Sequence, residues 1–284
     1  MNKCELCPRN CGIDRSQTKG VCGEKEIMRV NTYSVFMFEE PCISGTHGSG
    51  AIFFSGCSLK CVFCQNYEIS HDGRGTPTTP EGLVEIMKEL EEKGVHNINL
   101  VSPTHFADQI VEALKIYRPK VPVVWNTHGY EKVETIKKLL PYVDIFLTDF
   151  KYFDSKTAKK YSNCSDYVQN AQQALSVMVQ NKPLEFDGKL LKQGVVVRHL
   201  ILPLHTQESK QILDYLKRCY DKQILVSVMS QFTPFGECNK FDEINRKLTK
   251  REIECVNKHF ANLNLDGFVQ SPQSADTCFI PKWK

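Results

Sequence analysis

Seven of the thirteen cysteines in this chain fall into two tight groups. The first is Cys4, Cys7, Cys11 and Cys22; the second is Cys57, Cys61 and Cys64. Cys57-x3-Cys61-x2-Cys64 places three thiolates on one short loop. Three thiolates can take three corners of a cubane iron–sulfur cluster and leave the fourth iron open. Zinc would want a fourth protein ligand. Cys4-x2-Cys7-x3-Cys11-x10-Cys22, with Gly12, Gly20 and Gly23 nearby, reads as a small metal knuckle. Four thiolates suit a closed tetrahedral zinc site or a second iron–sulfur cluster, and the spacing of the first pair leans towards zinc. So short a segment buries little core, so a metal would supply its folding energy. Cys42, Cys164, Cys219, Cys238, Cys255 and Cys278 are scattered and read as buried small side chains. An odd count with no secretory leader argues for a reducing compartment and metal chemistry rather than disulfides.

The elements that must position these thiols alternate from about residue 50 onward. Apolar runs at Ala51 to Gly56, Asn97 to Val101, Val121 to Trp125, Val143 to Leu147, Val195 to Ile201 and Leu225 to Met229 read as six strands. Helical patterns follow at 79–94, 107–117, 132–140, 158–179, 208–219 and 250–260. Asp187-Gly188 marks a hairpin turn before the fifth strand. Strands that are apolar throughout, each followed by a helix, require a parallel sheet buried on both faces. The fold class is therefore α/β, either a partial six-unit barrel or an open doubly wound sheet. Either way the chemistry belongs at the carboxyl ends of the strands. Residues there are Cys57, Ser102 to His105, Asn126 to Gly129, Asp149 to Lys151, Arg198 to His199 and Gln231 to Thr233.

Composition agrees. The 284 residues are 41% hydrophobic and 24% charged, which is ordinary for a globular chain and excludes a disordered or fibrous one. A net charge of +3 argues against nucleic acid as a partner. No apolar run approaches the ~20 residues of a membrane helix, and the expected location is the cytoplasm.

The loop Gly56-Cys57-Ser58-Leu59-Lys60-Cys61-Val62-Phe63-Cys64 resembles the cluster loop of the radical S-adenosylmethionine superfamily. Within it the chain is similar to the pyruvate formate-lyase activating enzyme group, and more closely to its poorly characterised activating-enzyme-like branch. The matching stretches are Cys4 to Gly12, Glu40 to Gly45, Phe53 to Cys57, Cys64 to Ser70 and Val101 to His105. The resemblance implies a (β/α)6 partial barrel at 26–284 behind a Cys-rich segment at 1–25. It implies a [4Fe-4S] cluster on Cys57, Cys61 and Cys64, whose open iron is chelated by the amino and carboxyl groups of S-adenosylmethionine. One electron then breaks the sulfur–C5′ bond, and the 5′-deoxyadenosyl radical takes a hydrogen atom from a substrate. A polypeptide substrate and a reductant such as flavodoxin or ferredoxin are the implied partners. The alternatives are a small molecule or ribosomal peptide as substrate, or a non-catalytic electron-transfer protein.

The resemblance also points to residues that hold the S-adenosylmethionine. Relatives often carry Gly-Gly-Glu after the second strand, where this chain has Val101-Ser102-Pro103-Thr104-His105; Ser102 and Thr104 still offer oxygens. Asn126 and Thr127 stand where the activating enzymes have Asp-Thr, with Asn in place of an Asp that helps bind a monovalent cation. Asp149 and Lys151 match their Asp-x-Lys; the resemblance implies that Asp149 orders the methionyl end directly or through that cation, or that Lys151 offsets the carboxylate charge instead. Arg198 suits the ribose or carboxylate, and Gln231 the adenine. His199 alternates to the other face and reads as a satisfied core histidine, as Cys42 reads as a buried thiol.

Overall fold

The computed structural model describes residues 3–270 and Trp283; Cys278 and the rest of the C-terminal extension lie outside the described residues. Ten strands and nine α-helices of that part run β1 Arg29–Phe36, α1 Pro41–Ser44, β2 Ser49–Phe54, α2 Tyr67–Asp72, β3 Thr76–Pro77, α3 Pro80–Glu92, β4 Ile98–Val101, α4 Ala107–Ile116, β5 Val123–Thr127, α5 Val133–Leu139, β6 Ile145–Asp149, α6 Ser155–Ser162, α7 Tyr167–Asn181, β7 Glu185–Asp187, β8 Leu190–Leu200, α8 Thr206–Tyr220, β9 Leu225–Met229, α9 Lys250–Leu263 and β10 Gly267–Val269.

Strands β2, β4, β5, β6, β8 and β9 are the six read from sequence, parallel in that order, each followed by a helix. This is an α/β fold with a mostly parallel sheet, a partial barrel. Three strands were not legible as such. β1 pairs antiparallel with β2, β3 pairs antiparallel with β1, and β10 extends the other edge parallel to β9. β1 mixes polar and apolar residues and is mostly half-buried or exposed, and β3 and β10 are only two and three residues long, so none shows the continuous apolar run. Among the described residues the terminal strands β3 and β10 do not pair, so the barrel stays open along one side.

Alternation along each strand sorts its side chains. Val123, Trp125, Phe146, Val195 and Val197 join the large core under the helices. Val124, Ile145, Leu147, Val196 and Leu225 face the concave side, where Cys42 and Ile43 of α1 pack against them. α1 plugs the barrel where the strands begin, since Asn97 Nδ2 donates to Ile43 O at 2.8 Å just ahead of β4. Above that plug the same period-two rows present Asn99, Asn126, Asp149, Arg198 and Ser227 to the interior.

The single helix expected over 158–179 is instead two, α6 and α7, broken at Asn163 in the left-handed region (φ 48°). Asn tolerates that conformation better than most residues. Arg9 of the N-terminal segment secures the break, donating to Ser162 O at 2.9 Å and to Asn163 O at 2.7 Å. Its other two bonds go to Ser58 O at 2.9 Å and Leu59 O at 3.2 Å. Cys57 N donates to Cys22 O at 3.1 Å. The Cys-rich segment is thus strapped directly onto the loop of three thiols.

Candidate active site

A cavity of about 750 Å³ opens at the carboxyl ends of the parallel strands. Cys57, Cys61 and Cys64 line it together with Ser102, Asn126, Thr127, Asp149, Lys151, Arg198 and Gln231. Asn126, Thr127, Asp149 and Arg198 are the last residues of their strands or within them, not beyond them, because β5, β6 and β8 start or end differently from their apolar runs.

Each thiol of the loop accepts a hydrogen bond. Leu59 N donates to Cys57 Sγ at 3.4 Å, Ser162 Oγ to Cys61 Sγ at 3.1 Å and Ser70 Oγ to Cys64 Sγ at 3.4 Å. Donors to sulfur stabilise thiolates and set the potential of a cluster they hold. Burial pushes the Cys57 thiol up to about 12, which a metal would reverse. Lys60 in this loop and Ser102 after β4 both hold positive φ (54° and 56°), a strained conformation for side-chain-bearing residues that concentrates at functional sites. His128 binds Ser58 Oγ through Nε2 at 2.9 Å, and its Nδ1 accepts from Tyr130 N at 3.1 Å. Burial, reinforced by Lys151, lowers His128 to about 3, so it stays a neutral donor to the thiol loop.

In the same cavity four charges form one chain. Lys151 Nζ meets Asp149 Oδ2 at 2.6 Å, and Arg198 Nε meets Asp149 Oδ1 at 2.9 Å. Arg198 continues to Glu39 Oε2 at 3.2 Å and to Asn126 Oδ1 at 2.5 Å. Burial works against the Asp149 anion, but Lys151 and Arg198 outweigh it and hold the carboxyl down to about 2. Lys151 reaches the thiol loop electrostatically, at Cys61 and Cys64.

Some expected residues sit elsewhere. Thr104 is fully buried outside the cavity and donates to Glu131 Oε1 at 2.6 Å. Its hydroxyl is taken by that carboxylate, so the oxygen expected for S-adenosylmethionine does not face the site. Thr127 Oγ1 and Trp125 Nε1 donate to the same Glu131 oxygen, at 2.5 and 3.2 Å. Glu131 therefore tethers the β4 and β5 ends, a task its position in sequence does not announce. His199 is satisfied by Phe150 O and Ser209 Oγ, both at 2.8 Å, as expected. Cys42 is a buried thiol, and Cys164 and Cys238 are buried too. Cys219 is exposed, and Cys255 partly so, because both lie on the outer faces of α8 and α9 rather than in the core.

Glu39, Ser70 and Ser162 were missed as site residues. Ser162 is distant in sequence from any motif, and only the barrel brings it in. Glu39 borders the stretch Glu40 to Gly45 and Ser70 ends the stretch from Cys64, but neither carried a spacing signal.

The N-terminal thiols are gathered: the position beside Gly20 is 3.3 Å from Cys22 Sγ and 3.7 Å from Cys11 Sγ. Cys7 is raised to about 12 by burial, with Cys11 and Cys22 adding to the rise. Among the described residues, however, no three His, Cys, Asp or Glu side chains surround a single ion position. The same holds for Cys57, Cys61 and Cys64.

The fold and the site define a partial-barrel protein with three thiols and a charged wall sharing one strand-end cavity. Residues 51–216 match the radical SAM superfamily. The chain belongs to that superfamily, whose members are enzymes and whose chemistry implies a [4Fe-4S] cluster and S-adenosylmethionine. It is 30% identical over 273 residues to uncharacterized protein MJ0674 of Methanocaldococcus jannaschii, covering 93% of this chain and 75% of that protein. SuiB of Streptococcus suis, solved bound to S-adenosylmethionine, shares the fold with a TM-score of 0.51 at 15% identity, over 76% of this chain and 48% of SuiB. This chain therefore spans about half of SuiB. A domain of pyruvate-formate lyase-activating enzyme from Bacteroides vulgatus superimposes with a TM-score of 0.40 at 11% identity, over 68% of this chain and 91% of that domain. No helix among the described residues is long and apolar enough to cross a membrane.

Proposed function

We propose that this protein is an activating-enzyme-like radical enzyme that removes a hydrogen atom from a polypeptide. The observation that carries the reading is the convergence of Cys57, Cys61 and Cys64 with Asp149, Lys151 and Arg198 on one cavity. The donor set fits a [4Fe-4S] cluster: three thiols on one loop, each with a hydrogen-bond donor. Held by Cys57, Cys61 and Cys64, such a cluster would supply the single electron for cleavage of the sulfur–C5′ bond of S-adenosylmethionine to methionine and the 5′-deoxyadenosyl radical.

The protein's own part is binding, orientation and exclusion of water. Lys151 offsets the methionyl carboxylate beside the thiol loop, and Asp149 fixes both Lys151 and Arg198. Asn126, Thr127 and Ser102 would supply polar contacts from the intervening strand ends, and Gln231 would serve the adenine. Leu59, Phe63 and Phe53 wall the cavity with apolar surface. A polypeptide enters by the open side of the barrel, where Met37 and Phe38 line the cavity with 46% and 59% of their surface exposed. The N-terminal Cys4, Cys7, Cys11 and Cys22 hold a second cluster, strapped to the first loop and placed to receive electrons from a flavodoxin- or ferredoxin-type reductant.

Anaerobic reconstitution with iron and sulfide, followed by a strong reductant and S-adenosylmethionine, tests this. Wild type yields 5′-deoxyadenosine; Cys57→Ala, Cys61→Ala and Cys64→Ala lose the barrel cluster and yield none. No product from the reconstituted wild type, or wild-type rates from any of the three variants, would overturn the reading.

A further inference from the structure

The charged wall is one cation short. Among the described residues the cavity is lined by three acids, Glu39, Glu40 and Asp149, and by two bases, Lys151 and Arg198. Both bases are engaged: Lys151 with Asp149, and Arg198 between Asp149 and Glu39. Glu39 Oε1 takes only neutral donors, Asn99 Nδ2 at 2.9 Å and Asn126 Nδ2 at 3.2 Å. Glu40 is 8% exposed, and its Oε2 is buried with no hydrogen-bond partner. A buried carboxylate oxygen without a hydrogen bond is costly, and Arg198, whose charge also attracts Glu40, is already bonded to Asp149 and Glu39.

We propose that Glu39 and Glu40 form a recognition subsite for an organic cation, an ammonium or guanidinium group carried by the substrate. The subsite deepens the function proposed above and rests on it, naming the chemistry that the substrate must present. A metal ion is the poorer occupant, because Glu39 Oε2 is already taken by Arg198 and its Oε1 by two amide donors, which leaves a cation too few free oxygens. The sulfonium is not the occupant either. It must lie by the thiol loop, at the Lys151 end, whereas Glu39 is three ion pairs further along the wall. Burial, with Glu40 adding to it, raises Glu39 to about 7 against the pull of Arg198, the signature of an acid with too little positive charge around it. Pro41 and α1 hold the pair rigidly: Ile43 N and Ser44 N donate to Glu40 O at 2.7 and 3.0 Å. The subsite adjoins the open side lined by Met37 and Phe38, so a basic group would enter with the substrate.

The test titrates the reconstituted, unreduced protein, with S-adenosylmethionine bound, with n-pentylammonium, n-pentylguanidinium and 1-pentanol. The two cations should bind at least tenfold more tightly than the alcohol. Glu40→Gln should bring all three within twofold of one another while leaving S-adenosylmethionine affinity within twofold of wild type. Equal binding of cation and alcohol by wild type overturns the subsite, whatever the variant does. So does a preference that survives Glu40→Gln, or a tenfold loss of S-adenosylmethionine affinity in that variant, which would assign the carboxylate to the cofactor. Cleavage of S-adenosylmethionine is read separately, so failure of the radical chemistry is distinguishable from failure of the subsite.

Discussion

Asp149 shows how one side chain sets a site. It is the shared acceptor for Lys151 and Arg198, and both cations depend on it for position. Asp149→Asn keeps the shape and removes the charge. S-adenosylmethionine should then bind ~1–3 kcal/mol more weakly by calorimetry, the worth of a charge-assisted partner, with iron content unchanged. Unaltered affinity would make Asp149 a purely structural charge. The same residue also predicts a pH dependence. Its folded value of about 2 lies below its ordinary 3.8, so its ion pairs stabilise the fold fully above pH 3.8. That contribution, roughly 2 kcal/mol, fades as pH falls towards 2. Denaturant midpoints of wild type and Asp149→Asn should converge across that interval; parallel curves would contradict the assignment.

At the scale of elements, the N-terminal segment, the thiol loop and the α6–α7 break are held by one guanidinium. Arg9 reaches four carbonyls at once, two in the loop and two at the end of α6. Ser162, which donates to Cys61 Sγ, sits at that same helix end. Arg9→Ala should therefore lower stability by ~2 kcal/mol and loosen the loop locally. The expected readout is several-fold faster release of the barrel iron to a chelator in the folded protein. A release rate equal to wild type, at any stability, would show that the strap does not govern the loop. Neither the break in the helix nor its partner could be read in advance. Residues 158–179 carry helical spacing throughout, and the left-handed Asn163 is stabilised by an arginine more than 150 residues away.

Taken whole, the molecule places a gathered set of four thiols against the loop of three, joined by the Cys57 N to Cys22 O bond. If the N-terminal set holds the second cluster proposed above, metal analysis of the reconstituted protein should find about eight irons per chain and no zinc, as two [4Fe-4S] clusters require. Replacing Cys4 and Cys7 together should halve the iron and leave the barrel cluster, because the two sets share no ligand. One zinc and four irons would restore the tetrahedral reading; four irons alone would leave the N-terminal cysteines as plain thiols.

The amino-acid sequence by itself determined the order of six buried parallel strands, the thiol loop after the first of them, and most of the strand-end residues that line the cavity. Those features are local: hydrophobic runs, turn residues and cysteine spacing are short-range properties of the chain. Tertiary structure alone decided the rest. Thr104 left the cavity because Glu131, buried behind the next strand, captured its hydroxyl. Glu39 and Glu40 entered because the turn between an antiparallel lead-in strand and a one-turn helix sets them against Asn99, Asn126 and Arg198. Ser162 reached Cys61 because a helix ended where an arginine held it. Each outcome depends on contacts across dozens of residues or more, whose partners are chosen by burial and charge balance rather than by spacing.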